Sequence, residues 1–356
     1  MAPFNNIWFS VLFLFPSLLY GWAIRVRNAL YRLGLKKTVK INVFVVSVGN
    51  ITVGGTGKTP LVIFLAEWLT KQKLNVAVLS RGYKRKSKLS TMVSDGKGNL
   101  ASAQISGDEP FLIARRAEHS AVYVGKNRIK TAGLYLKNNC DIVILDDGFQ
   151  HLRIKRDLDI VCMNADNPWG NGRMIPAGPL REPLSGMQRA DLIVLMHSGK
   201  MSAEKCHLKN IQRLVSVPVI EALRMPKDWI RLGTENPLPI NSLQKKKVLA
   251  FAGIANPDSF RRTLAAVQTD PDHFISFRDH HWYSKKDLDD IAKTAEQHRV
   301  QAIVTTEKDA VRIPSGFSSP VPIFILRIEI QMKDPESLLK NMIMKNKRLL
   351  NKGSKL

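Results

Sequence analysis

Two kinds of hydrophobic pattern follow one another along the chain. From Ile7 to Ile24, eighteen residues pass without a charge, IWFSVLFLFPSLLYGWAI, with Trp8 and Trp22 toward its ends. As a helix this run would reach about 27 Å, at the lower edge of what a hydrocarbon core of about 30 Å requires. Arg25, Arg27, Arg32, Lys36, Lys37 and Lys40 come next, and no acid occurs before Glu67. A one-sided basic flank of this kind stays cytoplasmic and is drawn to anionic headgroups. No Lys or Arg precedes the run and no small-residue cleavage pattern follows it, so it does not read as a secretory signal. The pattern predicts an N-terminal membrane helix in preference to an ordinary core helix. Pro16 within it points to a kink or to a helix lying in the interface.

Beyond residue 40 the pattern changes to short apolar runs separated by helical segments: residues 43–48, 76–80, 121–125, 141–145, 158–163 and 191–196. Continuous rather than alternating apolar strands imply a mainly parallel sheet flanked by helices on both faces. A stretch rich in Pro and polar residues, about 224–247, precedes a second set at 248–253, 273–277, 302–306 and 322–328. The expected organisation is an anchor with its basic flank (1–40), an α/β core domain (41–235) and a smaller C-terminal α/β domain (236–356). The tail from Lys340 is basic and acid-free, a solvated helix end or a further membrane contact.

Composition narrows the function without naming it. The 356 residues carry 54 Lys+Arg against 30 Asp+Glu, a formal charge of +24. Such a charge attracts nucleic acid, an anionic membrane or phosphorylated substrates. Cys140, Cys162 and Cys206 form no CxxC pair and no zinc-ligand set, and no aromatic RNP motif or basic heptad region supports nucleic-acid binding.

The strongest chemical signal follows the first strand of the core. Gly49-Asn50-Ile51-Thr52-Val53-Gly54-Gly55-Thr56-Gly57-Lys58-Thr59-Pro60 leads into an apolar-periodic segment, Leu61 to Leu69. Strand, glycine-rich turn, Lys-Thr and helix is the order that surrounds phosphate oxygens with backbone N–H groups, a P-loop NTPase-like arrangement. Residues Thr52, Val53, Gly54, Gly55, Thr56, Gly57, Lys58 and Thr59 are the expected nucleotide loop. Lys58 would reach the terminal phosphates and Thr59 would offer a hydroxyl to Mg²⁺. Thr52 stands where the strict pattern has Gly. A metal-holding acid is expected at the end of a neighbouring hydrophobic strand, and Asp146 and Asp147 close the run from Cys140 in that way. Asp108-Glu109-Pro110 is a helix start on its own terms, but Asp108 is also a carboxylate able to take a proton. His280 lies between a strand and the S-x-x-D capping pattern of Ser284 to Asp287, at a strand's carboxyl end.

These pieces in order resemble the tetraacyldisaccharide 4'-kinase family, the lipid A kinases of Gram-negative bacteria. The resemblance rests on the loop through Pro60, Leu79-Ser80-Arg81-Gly82-Tyr83, Ser106-Gly107-Asp108-Glu109-Pro110, Val124-Gly125 with Arg128, Asp146-Asp147-Gly148-Phe149-Gln150-His151, and Gly172-Arg173 with Pro176 through Pro183. It continues through Ala252-Gly253-Ile254, Asp279-His280-His281 and Thr306 through Val311. The family's loop also carries a non-Gly residue at the Thr52 position. The resemblance implies ATP- and Mg²⁺-dependent phosphorylation of the 4'-hydroxyl of a tetraacyldisaccharide 1-phosphate, giving lipid IVA at the cytoplasmic face of the inner membrane. By the same match Lys58, Asp108 and His280 are catalytic, Asp108 being the base and His280 its partner. Arg128 and Arg181 would contact phosphate, with Glu182 near the metal or the acceptor. Arg81, Gln150, His151 and His281 are near the site without an assigned role. Glu307-Lys308-Asp309 either closes over the nucleotide or is a charged turn. The expected partners are the acylated acceptor and an anionic membrane, with no nucleic acid, for a monomer. The rival reading is a membrane-tethered P-loop switch, which would be expected to carry an N-K-x-D-type motif that the sequence lacks. Under the kinase reading, deletion of residues 1–24 is expected to leave a folded protein of reduced membrane affinity.

Overall fold

The computed structural model describes residues 12–83, 85, 87–136, 140–198 and 205–332. The start of the apolar run and the basic tail from Lys340 lie outside them. In chain order the main elements are α1 (Leu14–Arg32), β1 (Phe44–Gly49), α2 (Lys58–Lys71), β2 (Val76–Ser80), β3 (Thr91–Ser94), α3 (Asp108–Arg116), β4 (Ala121–Val124) and α4 (Arg128–Tyr135). There follow β5 (Ile142–Asp146), β6 (Leu158–Asn164), β7 (Leu192–Ser198), α5 (Lys205–Leu214), β8 (Val219–Arg231) and β9 (Pro237–Leu238). The last are β10 (Val248–Ala252), α6 (Pro257–Ala266), β11 (His273–Ser276), α7 (Lys285–Gln297), β12 (Ala302–Thr306) and β13 (Ile323–Met332).

The strands join one sheet in the order β11-β10-β12-β13-β8-β7-β6-β1-β5-β2-β4-β3, with β9 paired to β8. Pairing is parallel except at β3–β4, β8–β9 and β8–β13. Strands β1, β2, β5, β10 and β12 are buried at every position, as strands covered on both faces must be. Their unbroken apolar runs follow from that burial.

The two strand sets expected from the sequence are continuous through β8. Its first half pairs parallel with β7, Val219 opposite Ile193, and its second half runs antiparallel to β13, Arg231 opposite Phe324. The sequence pattern does not reveal β8, because Arg224, Pro226, Lys227 and Asp228 interrupt it and most of its positions are only half-buried. The antiparallel step reverses strand direction, so in a flat sheet the carboxyl ends of β1, β2, β4 and β5 and those of β10–β12 would lie at opposite edges. Twist of about 20–25° per strand pair accumulates along the path. A register shift between Arg327 and Ile328 bends β13 further. The sheet curls until the two sets of carboxyl ends face each other, and Asp108 and His280 touch although 172 residues separate them.

Helix α1 has two unlike faces. Ser17, Gly21 and Ile24 are buried, and Ile24 packs in a cluster with Ile51, Phe149, Met174 and Leu180. Ser17 Oγ donates to the Met174 carbonyl at 2.8 Å and Tyr20 Oη to the Arg181 carbonyl at 3.0 Å. Phe15, Leu18, Leu19, Trp22 and Val26, at helical spacing, are exposed on the opposite face. Pro16 falls in the first turn, where its missing N–H leaves no helical bond unmade, so the position forces no kink. No helix among the described residues is long and apolar enough to cross a membrane. Removing residues 1–24 would uncover Ile51 and Phe149, which changes the expectation for that deletion: it should cost stability as well as membrane affinity.

Candidate functional site

Carboxyl ends of parallel strands, where the chain must turn into a helix, are where an open α/β sheet places its chemistry. The loop after β1 is stapled from within. Buried Asn50 donates through Nδ2 to the Thr52 carbonyl at 2.6 Å and to Thr56 Oγ1 at 3.1 Å. Val53 N donates to the Pro179 carbonyl at 2.8 Å and Arg181 N to the Ile51 carbonyl at 2.7 Å, so the 179–181 segment braces the loop. Gly57 takes φ 91° just before α2. A Cβ there would lie 2.9 Å from Met196 Cγ, so both conformation and space require glycine. Gly54 and Gly55 face open space. No side chain caps α2, leaving its first N–H groups directed at the cleft as an anion site.

The second element of this wall is the turn at the end of β5. Asp146 is buried and accepts from Ser80 Oγ at 2.7 Å. Burial, reinforced by the charge of Glu109, pushes its carboxyl up to about 6. Asp147 is half-exposed and adopts a left-handed φ of 48°. Burial acts to raise its carboxyl, but Lys58 Nζ at 3.6 Å and Arg181 Nη1, which donates to both carboxylate oxygens at 2.9 and 2.8 Å, outweigh it and hold the group at about 2. Arg128, buried at the start of α4, donates to the carbonyls of Asp146 at 2.5 Å and Asp147 at 3.2 Å. It fastens the turn through its backbone and leaves both carboxylates directed elsewhere. No group of three or more His, Cys, Asp or Glu gathers as a metal site among the described residues. Two carboxylates and the Thr59 hydroxyl beside a phosphate loop suit Mg²⁺, which keeps waters and takes substrate phosphates as ligands.

The opposite wall is made by the loops after β10, β11 and β12, met by the start of α3 from the first half of the sheet. Asp108, the first residue of α3, is buried; Oδ1 accepts from Glu109 N at 2.9 Å and Oδ2 lies 2.7 Å from His280 Nδ1. The residue begins its helix and at the same time turns its carboxylate to His280. His280 has φ 62° and donates its backbone N–H to the Gly253 carbonyl at 3.1 Å. The Tyr83 ring meets it edge-on at 5.6 Å. Burial acts to raise the Asp108 carboxyl, yet its hydrogen bond and charge contact with His280, with Arg312 and Lys308, bring it below its usual range. The same hydrogen bond raises His280 above the ordinary imidazole value. Lys308 pairs with Glu109 and Arg116 with Glu307, so α3 is clamped to the 306–312 segment at both its ends. A cleft of about 590 Å³ is lined by Gly54 to Pro60, Arg81 to Tyr83, Asp108, Arg128, Asp146, Asp147, Arg181, His280 and Lys308, among others.

The tetraacyldisaccharide-1-P 4'-kinase family model matches residues 9–347. The chain belongs to that family. It is 38% identical over 340 residues to the tetraacyldisaccharide 4'-kinase of Syntrophus aciditrophicus, covering 92% of this chain and 91% of that one. It is 38% identical over 345 residues to the Halothermothrix orenii enzyme of the same name, covering 91% and 90%. The structure is similar to a crystal structure of LpxK from Aquifex aeolicus in complex with ATP, with a TM-score of 0.76 and 33% identity over 94% of this chain and 98% of that chain.

Within this member of the family, the curled sheet brings most of the residues singled out from the sequence to one cleft. Gly54 through Thr59, Asp108, Arg128, Asp146, Asp147, Arg181 and His280 line it. Thr52 and Val53 do not; they tie the loop to Leu180 and Pro179. Glu182 does not either. It is buried behind the loop, bound by Arg189 at 2.8 Å, Gln150 at 2.7 Å and Asn28 of α1 at 3.4 Å. The metal or acceptor placement expected for it gives way to a bracing one, since its carboxylate is already surrounded by donors. His281 stacks on Phe277 and bonds Asp287, whose capping box with Ser284 opens α7. Lys308 faces the cleft while Asp309 turns inward and is fully buried. The sequence reading missed Arg312 and Arg224. Arg224 comes within bonding reach of Ser198 in the cleft wall, but it sits in a strand that the polar interruptions concealed.

Proposed function

We propose that this chain transfers the γ-phosphoryl group of ATP to the 4'-hydroxyl of a tetraacyldisaccharide 1-phosphate. The observation that carries the reading is the Asp108–His280 pair at 2.7 Å, which faces an uncapped glycine-rich phosphate loop across one cleft. ATP phosphates would lie along Gly54 to Thr59, with Lys58 on the terminal ones. Asp146, Asp147 and Thr59 would hold Mg²⁺, which neutralises developing charge on the transferring group. Asp108 takes the acceptor proton as the acceptor oxygen bonds to the γ-phosphorus, and the bond to the β–γ bridging oxygen breaks to release ADP. His280 stabilises the Asp108 carboxylate and fixes its direction. Arg128 and Arg181 act mainly by holding the 146–147 turn. A nucleotide switch would have no use for a proton acceptor opposite its phosphate loop. The phosphate loop, the acidic turn and the Asp108–His280 pair come from one chain, so the reading requires no residue from a second subunit.

We read residues 41–235 as the phosphate-binding unit and 236–356 as the smaller unit presenting His280. We place α1 in the interface of an anionic membrane and not across it. Its inner face donates to the Met174 and Arg181 carbonyls of the catalytic half, whereas Phe15 and Trp22 are 70% and 66% exposed on the other face. The basic flank would lie on headgroups at the cytoplasmic face of the inner membrane, where the acylated acceptor resides. Transfer of label from γ-³²P-ATP to the tetraacyldisaccharide 1-phosphate in detergent tests the reading. Labelled lipid with wild type and almost none with Asp108→Ala is the expected result. ATP binding without lipid labelling would discard the substrate.

A further inference from the structure

Arg312 is 1% exposed and carries a full charge into the seam between the two halves of the cleft. Its fork is spent on a particular set of partners. Nε donates to the Lys308 carbonyl at 2.9 Å and lies 3.3 Å from Asp108 Oδ2. Nη1 donates to the carbonyls of Gly253 at 2.9 Å and His281 at 3.2 Å. The Gly253 carbonyl also receives the His280 N–H, so one guanidinium grips both sides of the His280 turn while it faces the carboxylate that His280 bonds. Nη2 makes no hydrogen bond and lies 3.6 Å from Asp309 Oδ1. Asp309 is itself fully buried; it accepts from Gly253 N and Tyr283 Oη, each at 2.8 Å, and from Thr306 Oγ1 at 2.6 Å. A Cβ on Gly253 would lie 3.1 Å from the Arg278 carbonyl and 3.3 Å from Asp309 Oδ1, so the turn has no slack at this point.

We propose that Arg312 is a positioning residue for phosphoryl transfer: its buried guanidinium holds the Asp108 carboxylate and the His280 turn in one fixed mutual geometry across the cleft. The inference rests on the kinase reading above. A structural salt bridge would need only a charge. This site uses the planar fork, because carbonyl acceptors from three separate residues and the carboxylates of Asp108 and Asp309 surround it in different directions. Arg312 is not among the residues lining the cleft, so it acts through Asp108 and His280 and not on substrate. Placement errors of about 1 Å in such a pair are enough to slow transfer by about two orders of magnitude.

The charged groups around Asp108 are Glu109 on its own helix, His280 after β11, and Lys308 and Arg312 after β12, with Asp279 beside the far edge of the His280 ring. Arg312 favours the ionised carboxylate, the form able to accept a proton. Its removal should therefore move the acid limb of kcat to higher pH.

The test compares Arg312→Gln and Arg312→Lys with wild type and with Asp108→Ala, using ATP and the tetraacyldisaccharide 1-phosphate in detergent. Both Arg312 variants should lower kcat by about 10- to 100-fold while KM for each substrate stays close to wild type. The acid limb should rise in pH for the Gln variant and recover partly for Lys, which restores the charge without the fork. If Arg312→Gln does not fold, Arg312→Lys decides alone by its kcat. Wild-type kcat in Arg312→Lys, or a reduced kcat in Arg312→Gln with an unmoved acid limb, overturns the proposal while inactive Asp108→Ala leaves the kinase reading intact. An active Asp108→Ala would instead remove the base assignment itself.

Discussion

At Gly54 and Gly55 the phosphate loop leaves open space where any side chain would stand, whereas across the cleft Arg312 and Asp309 are buried within a closed set of polar contacts. One wall offers backbone donors that wait for a ligand. The other spends its buried donors internally and presents the His280 imidazole against the Asp108 carboxylate, with Lys308 beside them. The difference follows from what each must bind. A polyphosphate can be held by many N–H groups pointing inward from a glycine-rich turn, and only glycines let the backbone come close. Proton removal from a hydroxyl needs one group at one place, and a left-handed His280 turn keeps that place only if its neighbours over-determine it.

The contrast can be broken most severely at the two charges nearest the chemistry. Lys58→Ala should reduce kcat by about 10³-fold or more, measured as label transfer at saturating lipid, because the developing phosphate charge loses its nearest cation. Asp108→Asn should lower kcat by about 10²- to 10⁴-fold with ATP affinity preserved, as read by a fluorescent nucleotide. If ATP binding fell along with kcat, the two walls would not be functionally separate.

The glycines sharpen the comparison. Gly57→Ala meets both a positive φ and Met196, and should destabilise by about 1–3 kcal/mol in chemical denaturation. Gly55→Ala meets neither and should keep its melting temperature while raising KM for ATP. Equal melting temperatures for the two would contradict the assignment of Gly57 to a structural constraint and Gly55 to a ligand-facing one.

A third surface, the outer face of α1, should be separable from both walls. Replacing Phe15 and Trp22 by Ser should weaken co-sedimentation with anionic vesicles by about 10-fold or more, since two aromatic side chains no longer leave water. Turnover in detergent should persist because Ser17 and Tyr20 on the inner face are untouched. Loss of turnover in detergent would show that the outer face serves the catalytic half as well.

The smallest expected effect concerns pH and stability. His280 is raised above its ordinary 6.5 by the Asp108 hydrogen bond, and Asp108 is lowered below its ordinary 3.8 because His280, Arg312 and Lys308 outweigh burial. The His280 share of stability is complete below the unfolded value and is lost as pH rises through the raised folded value. The Asp108 share is present above 3.8 and lost as pH falls through its lowered value. The melting-temperature gap between wild type and His280→Asn, which tolerates the left-handed turn, should be widest near about pH 5 and narrower by about 1–3 °C near about pH 9. A gap that widens with pH would reverse the assigned protonation of the pair.

Several of these features were legible in the chain before it was folded. The runs at 43–48, 141–145 and 302–306 specify buried parallel strands, because strands covered on both faces read as nearly continuous apolar runs. The glycine-rich turn before Lys58 declares its use, since strand, Gly-Lys-Thr and helix are contiguous in sequence. The residues that escaped notice depend on neighbours far along the chain. Arg312 is one more basic residue among many until Asp108 and Gly253 surround it. Glu182 resembles a site residue until Arg189, Gln150 and Asn28 enclose it.

The sequence by itself determined the local elements, the phosphate loop and an apolar N-terminal helix, because hydrophobic period, glycine and capping chemistry act over a few residues. Only the tertiary structure decided that β8, with its interrupted pattern, joins the halves, and that reversed strand direction and accumulated twist bring Asp108 to His280. Contacts between residues more than a hundred positions apart are set by how strands pair and how far the sheet curls, and neither quantity is written in any short stretch of the chain.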